Sequence, residues 1–211
     1  MSYSVALVFD KDNNWIYDFF KNIKFEFKNY SISKFFRADE VLGFDIVFLL
    51  GHTKILPSEF LQRNKLTLVV HASDLPKGKG FAPIQWQLLE GQNEIKVSLI
   101  EAAENVDSGD IFLQSIITFD GTELYKEIRE KQAIATINII SEFLKLYPNV
   151  TRKKQVGKES FYPKRKSADD ELDISKTLQE NFNLLRIGNN DAWPSFFYFK
   201  GVKYLVKISK E

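Results

Sequence analysis

The 211-residue chain has no cysteine. That absence excludes disulfides, thiolate nucleophiles and cysteine-ligated metals. Histidine is scarce as well, with only His52 and His71, too few for a multi-histidine zinc site, so no metal is expected. No apolar run approaches the ~20 residues that cross a bilayer, and no basic, apolar leader follows Met1. The expected setting is cytoplasmic, with no membrane partner. An excess of either charge is also missing: 29 Lys+Arg stand against 28 Asp+Glu, a formal charge of +1. Nucleic acid is therefore not an expected partner, and any anion has to be met by a local patch. Neither a Gly-x-Gly-x-x-Gly nor a Gly-x-x-x-x-Gly-Lys-Ser/Thr loop occurs.

What is present is an ordinary globular composition, 44% hydrophobic and 27% charged, long enough for one main core. Ser4–Phe9 (SVALVF), Asp45–Leu50 (DIVFLL) and Thr67–Val70 (TLVV) are apolar on both alternations, as strands of a parallel sheet covered on two faces must be. Between them, Asn14–Asn22 and Pro57–Asn64 read as helices, giving an α/β first half. Glu94–Ile100 and Ile111–Thr118 read as further strands, and Gly121–Leu146 as a long helix. Composition shifts to Lys, Asp, Glu and Pro over Tyr147–Leu172, an expected irregular surface segment. A short helix (Ile174–Leu185) and a hairpin turning at Lys200-Gly201 follow. The expected division is a core over 1–150 and a carboxyl-terminal extension over 151–211.

Ligands of open α/β sheets collect beyond the carboxyl ends of the strands. His71 follows the TLVV run and opens the stiff stretch HASDLPKGKGFAPIQW. A second cluster, AENVDSGDI, supplies Asp107 and Asp110 around Ser108-Gly109. A histidine beside a carboxylate suits acid–base work, the carboxylate fixing the ring tautomer. A buried structural histidine and a turn-forming aspartate produce the same pattern. Spacing alone leaves both readings open.

HASDLPKGKGFAPIQW, followed by LLEG and VDSGDI, resembles the core signature of the folate-dependent formyltransferases, with their His, Ser-x-Leu-Pro loop, Gly-x-x-Pro helix start and Asp-x-Gly turn. The resemblance is strongest over residues 45–114. FYPKRKSADDELDI and NLLRIGNNDAWPSFFYFKGVKYLV resemble the segment that closes the substrate side in the sugar and tRNA enzymes. It implies a Rossmann-like formyltransferase fold: a mostly parallel sheet with helices on both faces, then a carboxyl-terminal helix and β-hairpin. The implied co-substrate is N10-formyltetrahydrofolate, with no metal.

Carried over position by position, His71 matches the histidine that stabilises the tetrahedral adduct and manages its proton, and Asp107 its aspartate partner. The resemblance places the folate along Gly51, Ile55, Leu56 and Pro57 on one wall and Glu101, Ala102 and Val106 on the other. One departure is plain. The asparagine usual two residues before the histidine is Val69 here, and Asn64, Gln85 or His52 are the side chains available to substitute for its amide.

The tail resembles the sugar-nucleotide enzymes, and the compact ending those of pseudaminic acid pathways. The implied acceptor is therefore an amino-sugar nucleotide, a UDP-linked 4-amino-4,6-dideoxy sugar. A tRNA enzyme is expected to carry a further basic domain. Expected acceptor contacts are Ser73, Lys77, Lys79, Phe81, Arg186, Asn190 and Trp193. Trp86, Phe161 and Tyr162 are further stacking candidates, and Lys164 and Arg165 further diphosphate contacts. The tail also offers a hairpin face for a possible homodimer. The rival readings are a domain formylating a carrier-bound amino acid and a folate-binding module without turnover.

Overall fold

A computed structural model of the chain describes residues 2–12, 15–23, 25, 27–54 and 56–211. Strand β1 (Tyr3–Phe9) leads through helix α1 (Tyr17–Phe20) to β2 (Tyr30–Phe35) and β3 (Ile46–Leu50). Helix α2 (Ser58–Gln62), β4 (Thr67–His71), the two-residue β5 (Lys79–Gly80) and helix α3 (Pro83–Leu89) follow. Then come β6 (Glu94–Glu101), β7 (Ile111–Thr118) and the long helix α4 (Tyr125–Leu146). The chain closes with β8 (Phe161–Tyr162), helix α5 (Leu178–Ile187) and the hairpin β9 (Ser195–Phe199) and β10 (Val202–Val206).

The six-stranded sheet runs in the order β2-β1-β3-β4-β6-β7. Its first four strands are parallel, and β6 and β7 add on antiparallel. Side chains alternate across a strand, and β1 and β3 have apolar residues in both phases. Val5, Leu7, Phe9, Ile46, Phe48 and Leu50 face one core, shared with α3 and α4. Ala6, Val8, Val47 and Leu49 face a second core with Val41 and Phe60. This two-faced burial matches the expected mostly parallel α/β architecture. Helix α4 packs one stripe into the first core, Ile128, Ala133, Thr136, Ile139, Ile140, Phe143 and Leu144, at the spacing of a 3.6-residue helix.

Several boundaries move. The expected helix at Asn14–Asn22 is observed as Tyr17–Phe20, with Asn14 itself outside the described residues. The first turns expected of α4 and α5 are taken up by polar loops that cap them. Leu124 N–H donates to Glu127 Oε2 at 2.8 Å ahead of α4. Thr177 and Glu180 form a reciprocal capping box ahead of α5, with Glu180 N–H on Thr177 Oγ1 at 3.2 Å and Thr177 N–H on Glu180 Oε2 at 2.8 Å. The sequence TLQE carries that signature. Strand β2 was not expected. YSISKF lacks the continuous apolar run of its neighbours because it lies at the sheet edge and is only half-buried.

Asp45, ahead of β3, ties the sheet to the amino terminus. Its carboxylate accepts Ser4 N–H at 2.8 Å and Ser4 Oγ–H at 2.9 Å, and pairs with Lys65 Nζ at 2.5 Å. Lys65 foremost, then Ser4, hold its pKa down at about 2. A carboxyl depressed below its unfolded value of about 3.9 stabilises the fold above that pH and loses the contribution as pH falls through about 2. Asp45→Asn is therefore expected to cost on the order of 1 kcal/mol at neutral pH. Urea denaturation across a pH series should show the gap to the parent chain narrowing between about pH 4 and pH 2.

Candidate functional site

The last residue of β4 is His71, so the strand itself aims the ring at the crevice. The side chain is buried, and both ring nitrogens face acceptors. Nε2 lies 2.8 Å from the carbonyl oxygen of Gly78, and Nδ1 lies 3.4 Å from Asp107 Oδ2. Both partners are acceptors, but only the Gly78 carbonyl is at hydrogen-bond length, so in the neutral ring the proton sits on Nε2 and the lone pair on Nδ1. A proton arriving at Nδ1 is held between ring and carboxylate. The structure thus brings together the two residues that spacing alone left undecided.

Asp107 reaches this position through a tight turn. Its backbone is left-handed, at φ 49°. Its Oδ2 also accepts Gly80 N–H at 2.8 Å. Two residues on, Gly109 is pressed against the end of β6, where a methyl group would sit 1.8 Å from the Glu101 carbonyl oxygen. Only glycine permits that approach. Gln155 braces the turn from outside, its amide donating to the carbonyls of Asp107 and Gly109, both at 2.8 Å.

These residues open on a cleft of about 630 Å³. One part of its lining is apolar, with Leu49, Leu56, Val69, Ile100, Ala102 and Val106 beside Gly51 and Glu101. The loop after β3 is fixed there by Asp10, whose Oδ2 accepts Thr53 N–H at 3.0 Å and Thr53 Oγ1–H at 2.6 Å. Another part is cationic and aromatic, with Arg129, Lys164, Lys166, Trp15, Phe81 and Trp193. Arg129 lies 4.4 Å over the Trp15 ring and 5.3 Å from that of Tyr125, which in turn meets Trp193 edge-on.

Of the expected folate contacts, Gly51, Leu56, Glu101, Ala102 and Val106 line the cleft. Pro57 does not line it, and Ile55 lies outside the described residues. Glu101 is paired with Arg152. Asp110 lies apart from the histidine, 3.7 Å from Arg152.

The expected acceptor contacts divide. Phe81 and Trp193 line the cleft and are 40% and 44% exposed. Arg186 does not: it is 1% exposed, a core residue. Its Nε donates to Asn183 Oδ1 at 2.9 Å, Nη2 donates to Asn93 Oδ1 at 3.0 Å, and Nη1 lies 3.6 Å from Glu123. Burial pushes its pKa down against the pull of Glu123 and Asp120. Asn190 clamps the end of the chain, exchanging two hydrogen bonds with the Ile208 backbone. Lys79 is buried against Glu159, Nζ to Oε1 at 2.5 Å. Ser73 is buried behind β4, its N–H on the His71 carbonyl at 3.1 Å. Lys77 is exposed and off the cleft. Arg186, Lys79 and Asn190 were expected at the acceptor, and for each a partner distant in sequence has drawn the side chain elsewhere.

The remaining candidates are also placed. Arg165 lines the cleft but is committed to Asp170 Oδ1 at 2.5 Å and lies over Trp86. Trp86 stacks on Tyr162 and donates Nε1–H to the Pro163 carbonyl at 2.9 Å, and Phe161 lies beneath Lys79. Among substitutes for the amide missing at Val69, Asn64 is used in the loop before β3, accepting Phe44 N–H at 3.1 Å and donating to Phe60 O at 3.2 Å. Gln85 and His52 line the cleft. Sequence reasoning passed over Arg129 and Trp15, since EIREKQ reads as a solvated helix face and nothing local joins it to a tryptophan more than a hundred positions earlier.

Among the described residues, no cluster of three His, Asp or Glu side chains is arranged to hold a metal, and no helix is long and apolar enough to cross a membrane. Residues 6–144 match the family model described as Formyl transferase. A methionyl-tRNA formyltransferase from Lactobacillus johnsonii is 31% identical over 170 residues, covering 79% of this chain and 54% of that protein. The chain spans about half the length of the curated relatives it matches. Among solved structures, methionyl-tRNA formyltransferase from Clostridium thermocellum superposes with a TM-score of 0.81 at 20% identity, over 99% of this chain and 93% of that one. A 4-N formyltransferase from Francisella tularensis gives 0.79 at 18% identity, over 99% and 98%. HypX from Aquifex aeolicus, solved with tetrahydrofolic acid, gives 0.73 at 14% identity, over 99% of this chain and 38% of that one. With a family match across most of its length and His71, Asp107 and Gly109 in the geometry just described, the chain belongs to the formyl transferase family.

Proposed function

We propose that the chain moves a formyl group from N10-formyltetrahydrofolate to the primary amine of a UDP-linked 4-amino-4,6-dideoxy sugar, of the UDP-4-amino-4,6-dideoxy-N-acetyl-L-altrosamine type. The observation that carries this reading is the contact between His71 Nδ1 and Asp107 Oδ2 at 3.4 Å, on the wall of a cleft lined by apolar, cationic and aromatic side chains. Leu49, Leu56, Val69, Ile100 and Val106 in the lining offer apolar surface against which a flat pterin fits. When bound, the folate supplies an activated formyl carbon.

The chain's own residues supply the rest. The amine attacks as a free base and becomes acidic as its bond to the formyl carbon forms, so a base must take its proton, which goes to N10 as the bond between N10 and the formyl carbon breaks. His71 Nδ1 is that base, and Asp107 stabilises the imidazolium it becomes. The Gly78 carbonyl keeps the other nitrogen protonated, so the lone pair is on the correct side of the ring. Gln85 and His52, within the same lining, are the side chains available to donate to the formyl oxygen in place of the missing asparagine.

Arg129, Lys164 and Lys166 suit a diphosphate, and Trp15, Phe81 and Trp193 suit a base or sugar face. The fold shared with a sugar N-formyltransferase from Shewanella, over 99% of this chain and 98% of that one, supports a sugar acceptor. Apolar residues exposed on the hairpin, Phe199, Val202 and Leu205 among them, support a homodimer.

The experiment is mass spectrometry after incubation with N10-formyltetrahydrofolate and a panel of acceptors: amino-sugar nucleotides, methionyl initiator tRNA and a carrier-bound amino acid. Gain of one formyl group by a UDP-linked 4-amino sugar is expected. Formylation of the tRNA or the carrier alone, or folate binding with no product, overturns the assignment.

A further inference from the structure

Three consecutive residues, Gly78-Lys79-Gly80, touch both members of the His71–Asp107 pair. The Gly78 carbonyl accepts from His71 Nε2 at 2.8 Å, and Gly80 N–H donates to Asp107 Oδ2 at 2.8 Å. The tautomer of the one and the placement of the other therefore depend on the path of a short loop strand. That path is not fixed by the main sheet. Among the described residues, strand β5 pairs only with β8, about eighty residues later, in register Lys79↔Phe161 and Gly80↔Tyr162.

The pairing is stitched at every step. Gly78 N–H donates to Ser160 Oγ at 2.9 Å, Lys79 N–H to Ser160 O at 3.0 Å, and Phe81 N–H to Tyr162 O at 3.1 Å. The buried Lys79 ammonium reaches Glu159 at 2.5 Å. The Tyr162 ring lies over Gly78, and a methyl group on Gly80 would sit 2.5 Å from the Tyr162 carbonyl oxygen. Both glycines have φ in the left-handed region, at 71° and 96°, so the two strands meet with no room for a side chain between them. Neither Glu159 nor Ser160 lines the cleft.

We propose that Glu159, Ser160 and Tyr162 are positioning residues for the dyad. By fixing the path of Gly78–Gly80 they present the Gly78 carbonyl to Nε2 and the Gly80 amide to Asp107, and so hold His71 with its lone pair on Nδ1. This rests on the base role of His71 proposed above, but its first readout does not require any turnover.

The experiment follows the side-chain Nε2–H resonance of His71 in a 1H–15N spectrum of the whole chain, assigned by its loss in His71→Asn. A slowly exchanging Nε2–H signal is expected in the parent chain. It is expected to broaden or vanish in Ser160→Ala, which leaves Gly78 N–H without its side-chain acceptor, and to return in Ser160→Thr. If Ser160→Ala does not fold by circular dichroism, Tyr162→Leu, which removes the ring laid over Gly78, is read in the same way. With a formyl acceptor in hand, Ser160→Ala should lower kcat about tenfold with little change in either KM, because a misplaced base weakens chemistry and not binding. A parent spectrum showing the Nδ1–H tautomer, or an unchanged Nε2–H signal in a folded Ser160→Ala or Tyr162→Leu chain, overturns the proposal whether or not the acceptor has been identified correctly.

Discussion

Replacing His71 by alanine is expected to reduce formyl transfer by at least about two powers of ten, the usual loss when a proton-transfer group is removed. Asp107→Asn is expected to fall by a similar factor. The asparagine is the cleaner probe, because it tolerates the left-handed backbone at φ 49° and still accepts Gly80 N–H, so only the charge opposite Nδ1 is lost. Since both residues serve one proton transfer, the double variant should be scarcely slower than the worse single one. Single-turnover kinetics with saturating folate isolates the chemical step. Losses that multiply in the double variant would separate the two roles, and near-normal turnover in either single variant would remove it from the mechanism.

The second large effect is on folding. Arg186→Ala is expected to destabilise the chain by about 3 kcal/mol, the lower end of the range for breaking a buried charged pair, because Glu123 keeps Lys131 at 2.5 Å. For a domain of this size that lowers Tm by roughly 6–12 °C. Arg186→Met keeps most of the stem that fills the space and should lose less. Whatever fraction folds should show an unchanged KM for the acceptor, since the guanidinium is turned away from the cleft. A selective rise in acceptor KM in a stable Arg186→Ala enzyme would return the residue to the binding site. Differential scanning calorimetry beside steady-state kinetics separates the two.

Arg186 also marks where the sequence stops being legible. His71 and Asp107 were readable because their chemistry travels with local punctuation, a strand end before a stiff loop and an Asp-x-Gly turn whose glycine is sterically obligatory. The two-faced strands β1 and β3 were readable because a run apolar in both phases has one explanation. Arg186 lies in a stretch of mixed polarity, and what buries it is Asn93, ninety-three positions away, together with Glu123. Lys79 fails for the same reason, its partner Glu159 lying eighty positions on. Arg129 was invisible in the opposite sense. Its helix face looks solvated until Trp15 and Tyr125 are folded around it. Edge strand β2 carries half the apolar signal of a central strand because only half of it is covered.

Anyone exchanging tail segments between relatives to alter which amine is accepted should note where strand β8 falls. The Formyl transferase match ends at residue 144, and Phe161–Tyr162 lies beyond it. A graft joined at that border replaces the strand against which Gly78–Gly80 is laid. Such a chimera inherits His71 and Asp107 intact yet receives a foreign support for both. Junctions placed after Tyr162 leave that support native, while Lys164, Lys166 and Trp193 remain free to be exchanged.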